Sequence, residues 1–240
     1  MQDHINCNQR PLIFLGCNYA KLIQKEVCDE NNIKVVGIID SDYYGNKSDL
    51  FGIPFIDTEE VFKDPVRLEH YRNNYNFFCA SNWSPEDNPV KKRNREKRHK
   101  LIDLLDQYQL NTISLVDQKA NVSRYATIGR GVFVDAMCNI EAGVVIHDYV
   151  NIMWACGIGH DTTVERNTTI QRQVWTGGNC HFEQDCFIGI GAKTLKSGAR
   201  FGQGTWVQEM VYIKRGTIPG EIVGLNGSNQ RRVTVDPSID

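Results

Sequence analysis

The chain has 240 residues, enough for one large domain or two small ones. Its formal net charge of -2 offers no general attraction to nucleic acid or to an anionic membrane, so any polyanion must be met by a local site. No apolar stretch approaches the roughly 18 residues that cross a bilayer, and Met1 to Asn8 lacks a cationic-then-apolar pattern, which makes the cytoplasm the expected compartment.

In chain order, Leu12 to Leu15 reads as a short buried strand, followed by Gly16, Cys17 and Asn18 and then by a helical pattern through Ala20, Leu22, Ile23 and Val27. A second apolar run, Ile33 to Ile39, ends in Asp40, Ser41 and Asp42. Strand, glycine turn, helix, strand and acid make half of a nucleotide-binding βαβ unit. A dinucleotide fingerprint needs three glycines, and this chain supplies Gly16 with only Ala20 as a partial match, so NAD is not expected. What the segment keeps is a helix N-terminus whose free N–H groups can meet phosphate, and carboxylates at Asp40 and Asp42 placed to accept from ribose or base. An ordinary structural βαβ unit fits the same residues.

Ile53 to Ile56 predicts a strand, Thr58 with Glu59 and Glu60 a helix start, and Phe77 to Ala80 a strand running into Ser81, Asn82 and Trp83. Lys91, Lys92, Arg93, Arg95, Lys97, Arg98 and Lys100 crowd the next helix, which continues through Leu101, Leu104 and Leu105. No aromatic base-reading residues are interleaved, so the run reads as a solvated helix face, with a positive rim for a phosphorylated ligand as the alternative. The strand Thr112 to Val116 follows, and the expected domains are 1–111 and 112–240.

From Val122 onward the sequence is periodic in sixes: Val122, Ile128, Val134, Ile140, Ile146, Ile152, Ile158, Val164, Ile170, Thr176, Phe182 and Ile188. All but Thr176 and Phe182 are Val or Ile, which marks an internal repeat. Neither a helix at 3.6 residues nor a surface strand at 2 holds such a register, whereas a short strand, a corner and another short strand do. The fourth residue after each stop is small, including Cys138, Cys156, Cys180 and Cys186, which are read as free thiols filling space as small hydrophobes. The register slips by one after Ile188 and resumes at Leu195, read as a bulge or a loop at one corner.

These hexads resemble the hexapeptide-repeat, left-handed parallel β-helix of acyltransferases, in which three hexads make one coil. The left hand comes from that resemblance and departs from the usual crossover rule. Residues eighteen apart then lie one above the other on coils about 4.8 Å apart. The expected fold is a Rossmann-like α/β domain with a small parallel sheet, followed by this all-β helix. A βαβ domain ahead of such a coil resembles the N-acetyltransferases that modify nucleotide-linked aminosugars, with sialic-acid O-acetyltransferase relatives.

The resemblance implies a nucleotide pocket at Gly16, Cys17, Asn18, Asp40, Ser41 and Asp42, with Ser81 and Asn82 lining it. It also implies a catalytic histidine followed by an acid, which His160 and Asp161 match. A base for an attacking amine needs a pKa near neutrality, which suits histidine. Strand alternation points neighbours to opposite faces, which would turn Asp161 away from His160. Gly178, eighteen residues after His160 in Thr176-Gly177-Gly178-Asn179, is the candidate oxyanion donor. Acetyl-CoA is the implied co-substrate, held between β-helices of a homotrimer around Gly189, Gly191, Ala192, Lys193 and Lys214, and no metal is expected. Met153, Trp154 and Ala155 stand where many relatives carry Asn-x-Gly, and Thr169 where a second histidine is common. An O-acetyltransferase, a non-catalytic ligand-binding trimer, and a zinc hydratase using His147, His160 and His181 stand as alternatives.

Overall fold

The computed structural model describes residues 10–17, 21–81, 89–194, 197–224 and 229–230. The chain divides into two compact units, with the division between Leu115 and Val116.

In the first unit, β1 (Leu12–Leu15) is followed by α1 (Lys21–Glu30), β2 (Val35–Ile39), β3 (Asp49–Leu50) and β4 (Ile53–Asp57). Then come a 3-10 turn (Glu59–Lys63), α2 (Pro65–Asn74), β5 (Asn76–Cys79) and α3 (Pro89–Gln107). The sheet order is β3-β4-β2-β1-β5, parallel except for the short edge strand β3. Every residue of β1 and β5 is buried, as a parallel strand covered on both faces requires. The chain moves outward from β1 through β2 and β4, then returns to the other side of β1 as β5. The crevice at the carboxyl ends of β1 and β5 is therefore the topological switch point, where ligands of open α/β sheets bind.

Two local readings change. Thr58 precedes only the 3-10 turn and makes no side-chain cap bond. The full helix begins later, at Pro65, where Asp64 accepts from the Val66 and Arg67 N–H groups at 2.9 and 3.3 Å. Thr112 makes only an isolated parallel bridge to Phe77, and the strand proper is Leu115–Val116.

The second unit is built from two-residue strands in three sheets, successive strands on a face pairing in parallel, as in Asn139↔Gly157, Val145↔Thr163 and Asn151↔Thr169, except for the antiparallel pair Ile222–Val223 with Asn229–Gln230. The branched stops from Val134 through Ile170 are at most 1% exposed and form one continuous core. Each stop from Ile128 on is followed three residues later by a corner residue with positive φ: Gly131, Met137, Gly143, Tyr149, Ala155, Asp161, Asn167, Gln173, Asn179, Asp185 and Gly191. Glycine, Asn and Asp suit that conformation, but Met137, Tyr149 and Gln173 are held there by the ladder on either side.

The small position one residue further does more than fill space. Cys138 Sγ donates to Met153 O (3.1 Å) and Cys156 Sγ to Gln171 O (2.8 Å), while Thr168 Oγ1 donates to Glu183 O (3.0 Å). Each satisfies a corner carbonyl of the next coil that a valine would leave to other donors.

The slip lies in one corner: Trp175 bridges Lys193 eighteen residues on, but His181 pairs with Arg200, nineteen on. Thr194 fills the stop, 5% exposed, and Leu195 lies outside the described residues. Phe182 and Phe201, both fully buried, stack with centroids 4.4 Å apart. Phe182→Ala should therefore lower stability by about 3–5 kcal/mol, read as a drop in the urea midpoint; an unchanged midpoint would mean that the stack contributes nothing.

Candidate active site

In the first unit the structure gathers most of the expected nucleotide residues at the switch-point crevice. The Gly16 N–H donates to Ile39 O at 2.9 Å, with φ +75, and a Cβ there would lie 2.4 Å from Leu101 Cδ1. Glycine is thus required by the approach of α3, whatever the crevice binds. Ser81 is buried, and Cys17 is partly exposed. Asn18 and Asn82 lie outside the described residues.

The basic run is not simply a solvated face. Lys97, 15% exposed, donates to Asp40 Oδ1 (2.6 Å) and Asp42 Oδ2 (2.7 Å), and Arg93 reaches Asp42 Oδ1 (2.9 Å). Arg98 is 1% exposed and donates to the Ser81 carbonyl. The Ser41 N–H is held by Glu59 Oε2 at 3.0 Å. The acids that follow β2 are therefore already paired, apart from Asp40 Oδ2, a buried oxygen with no hydrogen bond among the described residues.

Burial opposes the charge of Lys97, but the hydrogen bonds it donates to Asp40 and Asp42 outweigh it and hold its pKa above the usual lysine value. Asp42 is held below 3.8, chiefly by the Lys97 hydrogen bond. A depressed carboxyl contributes stability above 3.8 and loses it as pH falls through the lower folded value. Lys97→Met strands the fully buried Asp40, so it should cost about 3 kcal/mol at pH 7 and shrink the loss of stability below pH about 4. Urea titrations at the two pH values check both effects.

The second unit carries His160 and Asp161 on the corner after the strand Gly157–Ile158. The expectation that they face apart fails. Asp161 is the left-handed corner residue, φ +54, which breaks strand alternation and turns its carboxylate back onto His160: Nδ1 and Oδ2 are 2.9 Å apart. Gly143, eighteen residues before, makes room, since a Cβ there would lie 2.2 Å from Asp161 Oδ1. One coil up, Gly178 does the same for the ring: its Cβ would lie 2.4 Å from His160 Nε2. The imidazole lies against the Gly178 backbone and is 56% exposed.

The 177–178 peptide is fixed at its carbonyl by Thr162 Oγ1 (3.3 Å), and the Gly177 N–H by Thr194 Oγ1 (3.0 Å). The next peptide is fixed at the Gly178 carbonyl by Ser197 Oγ (2.7 Å) and the Gly198 N–H (3.0 Å). The Gly178 N–H itself makes no hydrogen bond among the described residues. At Gly159 the usual ladder bond is replaced by one to Thr176 Oγ1 (2.9 Å), so the polar stop Thr176 serves this corner. The arrangement is an oriented imidazole with Nε2 beside an open, immobilised amide.

The sequence reading missed Gly143 and Glu141, whose Oε2 accepts the His160 N–H at 2.8 Å. Counting eighteen or nineteen residues downward, as was done upward to reach Gly178, would have found both. It also missed Trp175, 53% exposed, whose indole lies across the backbone of Gly157.

Of the acyl-donor candidates, Gly189, Gly191 and Ala192 lie on another corner, whereas Lys193 stacks over Trp175 and Gly157 on the face that leads to His160, and Lys214 follows Ile213 of that same face. Gly189, Gly191 and Ala192 already spend their N–H groups on Val207 O, Arg172 O and Gly189 O. Lys193 Nζ sits 5.9 Å from the Tyr212 ring centre, and Lys214 is exposed. His147 is on a third corner, and His181 lies within a strand, where Nε2 meets Glu165 Oε1 at 2.5 Å. Among the described residues no group of three or more His, Cys, Asp or Glu could hold a metal ion. No described helix is long and apolar enough to cross a membrane.

No protein-family model and no curated protein matches the sequence. Solved structures do. The acetyltransferase domain of PglB from Neisseria gonorrhoeae, solved alone and with acetyl coenzyme A, matches with a TM-score of 0.76 and 20% identity over 90% of this chain and 97% of that one. PerB from Caulobacter crescentus, in complex with CoA and GDP-perosamine, gives 0.74 and 20% over 92% and 97%. WeeI from Acinetobacter baumannii gives 0.72 and 17% over 90% and 97%. At these identities it is the fold that is shared: this chain has the architecture of those proteins, a small parallel α/β sheet followed by a left-handed parallel β-helix.

Proposed function

We propose that the protein is an acetyl-CoA-dependent N-acetyltransferase acting on the amino group of a nucleotide-linked aminodeoxysugar. The observation that carries this reading is the imidazole of His160, held at Nδ1 by Asp161 and laid by Nε2 against Gly178. With Nδ1–H donating to the Asp161 carboxylate, Nε2 presents a lone pair and acts as the base. The amine nitrogen attacks the thioester carbonyl carbon and passes its proton to Nε2. The Gly178 N–H receives the oxyanion. The C–S bond then breaks as Nε2 hands that proton to the leaving sulfur, so CoA departs as the thiol and the imidazole is neutral again. The crevice of the first unit holds the nucleotide through Gly16, Cys17, Asn18, Asp40, Ser41, Asp42, Ser81 and Asn82. The switch-point topology supports this, as do the neighbours crystallised with acetyl-CoA or with GDP-perosamine.

A homotrimer, with acetyl-CoA held between neighbouring β-helices around Gly189, Gly191, Ala192, Lys193 and Lys214, belongs to the same proposal. So does a cytoplasmic setting. The test is CoA release from acetyl-CoA with UDP-, GDP- and dTDP-linked aminosugars, together with the alkali stability of the product. An alkali-stable amide is the expected outcome. A base-labile ester would assign a hydroxyl acceptor, and ligand binding without turnover would leave only a binding trimer.

A further inference from the structure

We infer that Glu141 is a positioning residue for His160, an inference that rests on the reading of His160 as the base. His160 and Gly178 occupy the same place in successive coils, two residues past the stop, where the ladder offers the backbone N–H no carbonyl. The side chain nineteen residues earlier, one past the stop of the coil below, decides what happens to that N–H. For His160 it is Glu141, and Oε2 closes the N–H at 2.8 Å. For Gly178 it is Gly159, which has no side chain to offer and whose would-be Cβ lies 2.7 Å from Gly178 N. One device thus anchors the backbone of the residue that carries the imidazole and leaves open the amide one coil higher.

The anchoring is needed because the ring is otherwise weakly held. It is 56% exposed, it faces a glycine above, and among the described residues its one side-chain bond is to Asp161, itself 61% exposed. The coil of Glu141 holds both residues of the pair: Glu141 takes the His160 N–H, Ala142 O takes the Asp161 N–H at 3.0 Å, and Gly143 clears room for the Asp161 carboxylate. A carboxylate oxygen accepting from a backbone amide makes a short, strong bond, and an amide oxygen in the same place still accepts.

The fold supplies its own control. Glu183 Oε2 takes the Gln203 N–H at 2.9 Å, the same device on a different corner, one residue longer because of the register slip. A purely structural cap would behave alike at both sites. The experiment measures kcat and the acetyl-CoA KM for Glu141→Ala, Glu141→Gln, Glu183→Ala and His160→Ala with the aminosugar panel. Glu141→Ala should lower kcat about tenfold with KM little changed, since small misplacements of reacting groups carry penalties of this order or larger. Glu141→Gln, whose amide oxygen still accepts, should recover most of it, and Glu183→Ala should keep full kcat.

Wild-type kcat in Glu141→Ala, failure of glutamine to rescue, or an equal loss in Glu183→Ala overturns the proposal. Wild-type turnover in His160→Ala overturns the underlying reading instead. Should no acceptor in the panel turn over, that reading falls too, and the backbone amide and ring 15N resonances of His160 still decide the positioning. They should move in Glu141→Ala and stay in Glu183→Ala, and unmoved ring resonances in Glu141→Ala would sink it.

Discussion

His160→Ala should lower kcat/KM for amine acetylation by about a thousandfold, the usual range for removing a positioned general base. The fold should scarcely notice. The ring is more than half exposed, its neighbour Gly178 offers no side chain to pack, and its removal strands only Asp161, an exposed carboxylate that water can solvate. A stability change within about 0.5 kcal/mol is expected, as at other surface positions. The two measurements belong together. Lost turnover with an unchanged urea midpoint assigns the loss to chemistry, whereas unchanged turnover would show that the imidazole takes no proton in the rate-limiting step and would remove the basis of the proposed reaction.

The repeat was legible because its physics is local. A narrow prism admits a branched residue at each stop and a small one four residues later, so the hexads announce the coil without any long-range information. The two departures among the stops were also informative: Thr176 marks the corner where Gly159 leaves the ladder for a side-chain hydroxyl, and Phe182 marks the aromatic stack. What stayed hidden depends on backbone conformation and on contacts across coils. The rule that neighbours on a strand face apart misjudged Asp161, because no sequence pattern separates it from the other corner residues whose φ turns positive, such as Met137 and Tyr149. The basic stretch of α3 misled for a related reason. Its charges looked solvated while the partners of Lys97 lay 55 and 57 residues away in sequence, after β2. The same pairing bears on the proposed nucleotide pocket, since Asp40 and Asp42 would there serve a ligand while already holding a lysine.

Gly178→Ala should separate the two roles assigned to the upper coil. The position does not require positive φ, so alanine fits the backbone, and the nearest conflict is with the imidazole, at 2.4 Å from Nε2, 2.6 Å from Cε1 and 2.7 Å from Cδ2. Carbon contacts settle near 3.5–4.0 Å, so the ring must retreat by about 1 Å. A half-exposed ring can do so at little cost in stability, yet a displacement of that size at the reacting nitrogen is enough to lower kcat about a hundredfold. Alanine keeps the N–H, so the loss would come through His160, and combining Gly178→Ala with His160→Ala should add little to the histidine variant alone. Gly178→Pro removes the N–H itself and should cost a further factor in the double variant, about 3 kcal/mol if that amide receives the oxyanion. If alanine and proline are equally silent in the His160→Ala background, Gly178 acts only by leaving space and the oxyanion must be received elsewhere. If alanine is silent in the wild-type background, the ring is not used in the position where the structure holds it.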